Sequence, residues 1–206
     1  MDLKQLFAEI VADNTLHARW LNTLSLMENT GARKISASEH KTDVSLLILK
    51  HAAEEHRHAY YLKKQIAKLD PALCPTYADA YLLAPAESRY YLNVLDVQVC
   101  KYLKSVLNLS GFDLKFAAYL LVTYAIEVRA DALYPIYQEA LEAAGCKVNV
   151  KSIIIEEEGH LEEMIHQLTQ FSPQWEVYAH EAIELENQLF DKWIGALLSL
   201  VPIIFK

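Results

Sequence analysis

Glu55 and His58 form a Glu-x-x-His pair, and Glu157 and His160 form another, both members repeating at the same interval of 102 residues. Few features constrain a fold as strongly, because residues three apart share a face only on a helix. Each pair also follows a segment with a lone Glu in apolar surroundings, Glu28 before the first and Glu127 before the second. Four carboxylates and two imidazoles are a ligand set for two hard-to-borderline divalent metal ions.

The motif alone is common in a chain this rich in Glu and His, and a third copy, Glu163 to His166, is present. Helical phase separates them. Val44, Ile48, His51, Glu55, His58, Leu62 and Ile66 advance by threes and fours, so the first pair lies in an apolar stripe. Val150, Ile153, Glu157, His160, Met164, Leu168 and Phe171 place the second pair in the same way. Glu163 falls six residues after Glu157, about 120° from that face at about 100° per residue, and reads as solvated surface. The lone glutamates pass the same test. Leu21, Leu24, Glu28 and Ile35 form one stripe, and Phe116, Leu120, Tyr124, Glu127, Tyr134 and Leu141 another. A buried, unpaired carboxylate costs several kcal/mol, and neither Lys nor Arg occupies a stripe position. Arg33 and Arg129 are the nearby cations able to satisfy one such Glu. Two divalent cations would neutralise all four.

The chain has 206 residues, 53% of them hydrophobic, with only five Gly and six Pro. Long periodic stretches with few breakers predict an all-α protein. The expected helices run from about Asp2 or Asn14 to Lys34, with a break near Asp13, from Asp43 to Leu69, and from Phe112 to Ala144. Two more follow, from Val150 to Phe171 and from Pro173 to Leu198. Ser36 and Glu39 suggest a capping box ahead of the second. A long connection, 70–110, is expected to hold its own helix from about Glu87 to Leu109. The net charge of −8 with scattered Lys and Arg argues against a nucleic-acid partner. Cys74, Cys100 and Cys146 stand far apart and provide neither a disulfide framework nor a CxxC knuckle. The N-terminus lacks a basic head followed by an apolar run, and no apolar stretch reaches the ~18–20 residues that span a bilayer. A soluble cytoplasmic protein is expected.

One Glu, then Glu-x-x-His, then one Glu, then Glu-x-x-His resembles the ferritin-like di-iron carboxylate superfamily, at Glu28, Glu55/His58, Glu127 and Glu157/His160. The resemblance implies a single ferritin-like domain over 1–206, a four-helix bundle of two antiparallel hairpins joined by a long crossover. Its core would cover about 14–171, with an extra helix in the crossover 70–110 and a C-terminal fifth helix over 173–206. It further implies two Fe ions, with Fe/Mn or Mn/Mn sharing the ligand set. Glu55 and Glu157 would bridge them, Glu28 and Glu127 would be terminal ligands, and His58 and His160 would bind one metal each.

Several neighbours carry two readings. His51 is an extra ligand, a second donor behind the ligands, or a core histidine. Asp131, one turn past Glu127, either accepts the outer N–H of a ligand His or is solvated. Tyr124, one turn before Glu127, is either a reactive phenol or core packing. Glu54 and Glu156 each precede a ligand Glu and are its nearest substitutes. Gly159 inside a helix permits close approach of another helix or opens a path to the metals. Tyr60, Tyr61, Tyr90, Tyr91 and Tyr102 suit a subunit interface, as in a homodimer, or a substrate channel. The apolar stretch Trp193 to Phe205 is expected to dock on the bundle or a partner, or to touch a membrane surface.

The leading functional expectation is a di-iron oxidase or oxygenase. It would use O2 or peroxide, a small organic substrate and an electron-donor protein. A ferroxidase or storage subunit, a peroxidase resembling rubrerythrin, and a non-catalytic helical interaction protein are the alternatives. The CxxC module that often accompanies such peroxidases is absent.

Overall fold

The computed structural model describes residues 2–200 and is all-helical over that span. Its seven α-helices are α1 (Leu3–Ala12), α2 (Asn14–Ser38), α3 (Leu46–Gln65), α4 (Pro85–Leu107), α5 (Gly111–Ala143), α6 (Lys151–Phe171) and α7 (Trp175–Leu200). The break at Asp13 has a local cause. Asp13 is extended, and its carboxylate accepts hydrogen bonds from the backbone N–H of Thr15 and Leu16, both 2.8 Å, capping α2.

Three boundaries differ from the sequence expectation. Helix α2 continues to Ser38 and absorbs Ser36, so Ser36 and Glu39 make no capping box. The cap of α3 is Ser45, whose hydroxyl accepts from Ile48 N–H at 3.4 Å. Val44 therefore lies outside α3 and is 72% exposed, and the buried stripe starts at Ile48. Helix α3 stops at Gln65 and tightens into the 3-10 turn Ile66–Lys68, ahead of the prolines at 71 and 75.

Helices α2 and α3 pack as an antiparallel hairpin, with the Ser25 hydroxyl donating to Ala59 C=O at 2.6 Å. Helices α5 and α6 form a second hairpin, closed where Val150 N–H donates to the Gln138 side chain at 2.8 Å. The hairpins meet along α3 and α6 through a seam of charged pairs. Lys50 and His51 bond Glu163, Glu54 bonds His160, and Arg57 and His58 bond Glu156. The opposite flank is covered by α4 and α7. Trp193 of α7 stacks on Trp20 of α2, ring centroids 5.6 Å apart, and donates its indole N–H to Ser88 of α4 at 2.8 Å. Trp193 and Leu197 are buried, so the described part of the apolar C-terminal stretch docks on the helices. Residues 201–206, with Pro202 and Phe205, lie outside the described residues. Among the described residues, no helix is long and apolar enough to cross a membrane.

Gly159 does not mark a close approach of another helix. It is exposed, and a Cβ built on it meets nothing within 4 Å. Gly159→Ala is expected to raise stability by about 0.5–1 kcal/mol, because Ala gives up less backbone entropy in a helix. A thermal melt that moves down would contradict this.

Candidate metal centre

Each helix of the two hairpins contributes to one buried cluster. Glu28 comes from α2, Glu55 and His58 from α3, Glu127 from α5, and Glu157 and His160 from α6. Their ligand atoms fall into two overlapping groups, Glu28/Glu55/His58/Glu157 and Glu55/Glu127/Glu157/His160, with the atoms of each group within 4.8 Å of one another. Glu55 and Glu157 belong to both. Five of the six side chains are buried, and Glu28 is half-buried.

The two imidazoles face inward with Nδ1. His58 Nδ1 lies 3.1 Å from Glu157. His160 Nδ1 lies 3.3 Å from Glu157, 3.6 Å from Glu127 and 3.7 Å from Glu55. Their outer nitrogens are held across the α3–α6 seam. His58 Nε2–H donates to Glu156 at 2.8 Å, and His160 Nε2–H donates to Glu54 at 2.9 Å. The residue before each shared Glu thus fixes the ring on the opposite hairpin, and frees Nδ1 to bind a cation. The sequence suggested Asp131 for this task. Asp131 is exposed, and Glu54 and Glu156 do the work instead. These two are not substitutes for their neighbours, since neither belongs to the cluster. Removing the acceptor by Glu54→Ala or Glu156→Ala is expected to weaken metal binding about 10–100-fold without touching a ligand atom. A calorimetric titration showing unchanged affinity would refute that role.

The electrostatics show what a cation would relieve. Burial, reinforced by repulsion from Glu28, Glu157 and Glu127, pushes the Glu55 carboxyl well above the usual range. Burial and the neighbouring Glu157 do the same to Glu127. Burial also opposes ionisation of Glu157, but the neighbouring Glu127, His160 and His58 outweigh it and hold its carboxyl below the usual range. Burial disfavours the His160 cation, yet Glu157, Glu54 and Glu55 outweigh it and push its pKa up to about 9. His58 is raised by the same balance of burial against Glu157, Glu28 and Glu156. Two buried polar atoms of the cluster, His58 Nδ1 and Glu127 Oε2, have no hydrogen-bond partner. Both belong to residues grouped at metal-binding distance, so the donor set and its orphaned atoms fit divalent cations.

A cation must displace the protons that Glu55, Glu127, His58 and His160 retain. Binding should therefore release protons, and affinity should climb between pH 6.5 and 9. The metal-free fold should respond in the opposite sense. A histidine raised above its unfolded value stabilises below pH 6.5 and loses that contribution as pH rises through about 9. Calorimetry in buffers of different ionisation enthalpy, and melts across this range, check both. An affinity flat over the window would contradict the proton inventory.

His51 stands behind the centre. It is 1% exposed, donates from Nε2 to Glu163 at 2.9 Å, accepts at Nδ1 from the Tyr119 hydroxyl at 2.9 Å, and its ring centroid is 5.0 Å from that of His160. Burial holds its pKa below the ordinary value, against the pull of Glu163. It belongs to neither ligand group. Glu163 is consequently not a merely solvated surface residue, as its phase suggested. It faces α3, where it accepts from His51 and Lys50, while His166 of the same motif is exposed. Tyr124 points toward α7, with its ring edge-on to Trp175 at 5.9 Å. The phenol that does reach the cluster is Tyr134, which donates to Glu28. It sits seven residues after Glu127 in the same stripe, and that spacing was the signal available for it.

A cavity of about 380 Å³ opens onto Glu28, Glu55 and Glu127. Its walls come from α2 and α5, with Tyr91, Leu92, Leu95, Asp96 and Cys100 from the crossover helix α4 and Trp193 from α7. The tyrosines grouped by sequence divide accordingly. Tyr91 lines the cavity, Tyr60 and Tyr90 are exposed, and Tyr61 bonds Asn149. Arg129 also reaches the cavity wall, but its guanidinium is committed to the buried Glu186. Arg33 bonds the backbone of its own helix, so neither arginine serves the cluster.

The helices thus gather a buried Glu/His group at metal-binding distance, beside a largely apolar cavity. Comparisons with protein-family models, curated proteins and solved structures give no match, and the chemistry of this group is what speaks for function.

Proposed function

We propose that this chain is a ferritin-like oxidoreductase that holds two divalent metal ions, iron first among them, and oxidises or oxygenates a small organic molecule with O2. The observation that carries this reading is the cavity. A centre built only to bind metal needs no deep, largely apolar cavity against its carboxylates, whereas a small organic substrate needs a place to be held beside them. The crossover helix and α7, which a bare four-helix bundle lacks, build much of that chamber. Mixed carboxylate and imidazole donors suit Fe(II), Mn(II) and Fe/Mn pairs.

Glu55 and Glu157, common to both groups, would bridge the ions. Glu28 and Glu127 would each bind one, as would His58 and His160 through Nδ1. Two Fe(II) ions at this centre would supply electrons to O2. The protein's own part is to hold the imidazoles through Glu54 and Glu156, to keep a proton on Tyr134 next to Glu28, and to exclude water with Leu24, Val122 and Ile126. An electron-donor protein would restore the reduced state between turnovers.

Protein loaded anaerobically with two Fe(II) per chain and then exposed to air should consume O2, and Glu157→Ala protein should not. Absence of metal in protein as purified, together with no uptake of Fe(II), Mn(II) or Zn(II), would end the metal reading. O2 consumption that keeps pace with iron added far beyond two per chain would instead mark an iron-handling protein.

A further inference from the structure

We infer that the cavity is built for an elongated aliphatic carboxylate, its chain lying between α2 and α5 and its carboxylate at Lys115. The inference deepens the proposed function by naming a substrate class, and its binding step is independent of any metal.

Shape is the first argument. Along α5 the lining runs from Lys115 to Tyr134, about 28 Å at 1.5 Å per residue, and along α2 from Leu24 to Ser38. A volume of about 380 Å³ spread along such a seam is narrow and long. The wall is Leu24, Met27, Leu95, Val122, Ile126 and Leu133 for most of that length, which suits methylene groups and offers few hydrogen-bond partners.

Charge sets the direction. Glu28, Glu55 and Glu127 occupy the wall at the centre, and none of them offers an anion a positive partner there. The cations on the lining are Lys34, Lys115 and Arg129. Arg129 is bonded to Glu186 and Lys34 to Asp96. Lys115 is exposed and has no carboxylate within ion-pair distance among the described residues. It lies 12 residues before Glu127, about 18 Å along α5. Allowing for the reach of the lysine itself, a chain of about a dozen carbons places its far end at the cluster when its carboxylate meets Lys115. The end away from the carboxylate would be the one presented for oxidation.

Gly31 provides a blocking variant that should fold. It lines the cavity three residues after Glu28, and a Cβ there meets nothing within 4 Å. Dodecanoate, below its micelle concentration, is titrated into protein as purified and followed by calorimetry and tryptophan fluorescence, with dodecanol as the neutral comparator. Saturable binding of one dodecanoate per chain is expected. Lys115→Glu should weaken dodecanoate about fivefold to tenfold and leave dodecanol unchanged. Gly31→Phe should abolish binding of both while retaining the helical spectrum. No saturable binding, or binding that neither variant alters, would overturn the assignment. Equal losses of dodecanoate and dodecanol in Lys115→Glu would overturn the carboxylate site. Mn(II) binding measured alongside keeps the two readings apart. Dodecanoate binding without Mn(II) binding would retire the metal centre alone, and Mn(II) binding without dodecanoate would retire this inference alone.

Discussion

Glu157→Ala is expected to remove both metal ions while leaving the helices in place. Glu157 belongs to both ligand groups, and both inward nitrogens face it, at 3.1 Å from His58 and 3.3 Å from His160. No single terminal ligand is shared in this way, so Glu28→Ala should cost less. The fold should survive because the apolar core of α6 lies in Ile153, Met164 and Leu168, which the substitution leaves in place. With metal at about 100 times its Kd, the native chain should gain about 2.7 kcal/mol for each ion bound. That corresponds to about 5–10 °C in a chain of this length. The variant should gain nothing on addition of Mn(II). Two ions per chain retained by Glu157→Ala would defeat the assignment of the centre.

Arg129→Met should be strongly destabilising, with or without metal. Glu186 is 1% exposed and accepts from Arg129 Nε at 2.9 Å and Nη2 at 2.7 Å, and from the Tyr91 hydroxyl at 2.5 Å. The guanidinium also lies 3.8 Å from the centre of the Phe190 ring. Removing it strands a buried carboxylate, at a cost of about 3–5 kcal/mol. Removing both charges with Arg129→Met/Glu186→Met should restore most of the loss, because well-packed apolar replacements of a buried ion pair are often neutral. Denaturant midpoints distinguish the two variants. A loss below about 1 kcal/mol in the single variant would show that Glu186 finds another partner or a proton.

The contrast between Glu186 and the cluster bears on how much was legible beforehand. Both are buried carboxylates. One has an arginine and a tyrosine, while the other four share only histidines, one tyrosine and each other. Sequence phase identified Glu55, Glu127 and Glu157 as inward-facing, because a charge inside an apolar stripe repeats with the helix. It did not identify Glu186, since α7 carries several glutamates and the face it buries depends on where α4 and α5 lie. Glu163 was misjudged for a related reason. Its angle on α6 correctly keeps it away from the centre, but that angle alone does not reveal that α3 lies on that side.

What the chain alone determined is local and periodic. Five main helices and a sixth in the crossover, a break near Asp13 and the inward phase of the two Glu-x-x-His pairs follow from spacing, capping and the scarcity of Gly and Pro, which act over one or two turns. What tertiary structure decided is set by register between distant segments. The pairings of His58 with Glu156 and of His160 with Glu54, and the phenol of Tyr134 on Glu28, bridge helices about a hundred residues apart. So does the chamber walled by α4 and α7. Such contacts depend on how far one helix slides and turns against another. The packing of whole side-chain surfaces sets that geometry, and periodicity along a single helix does not encode it.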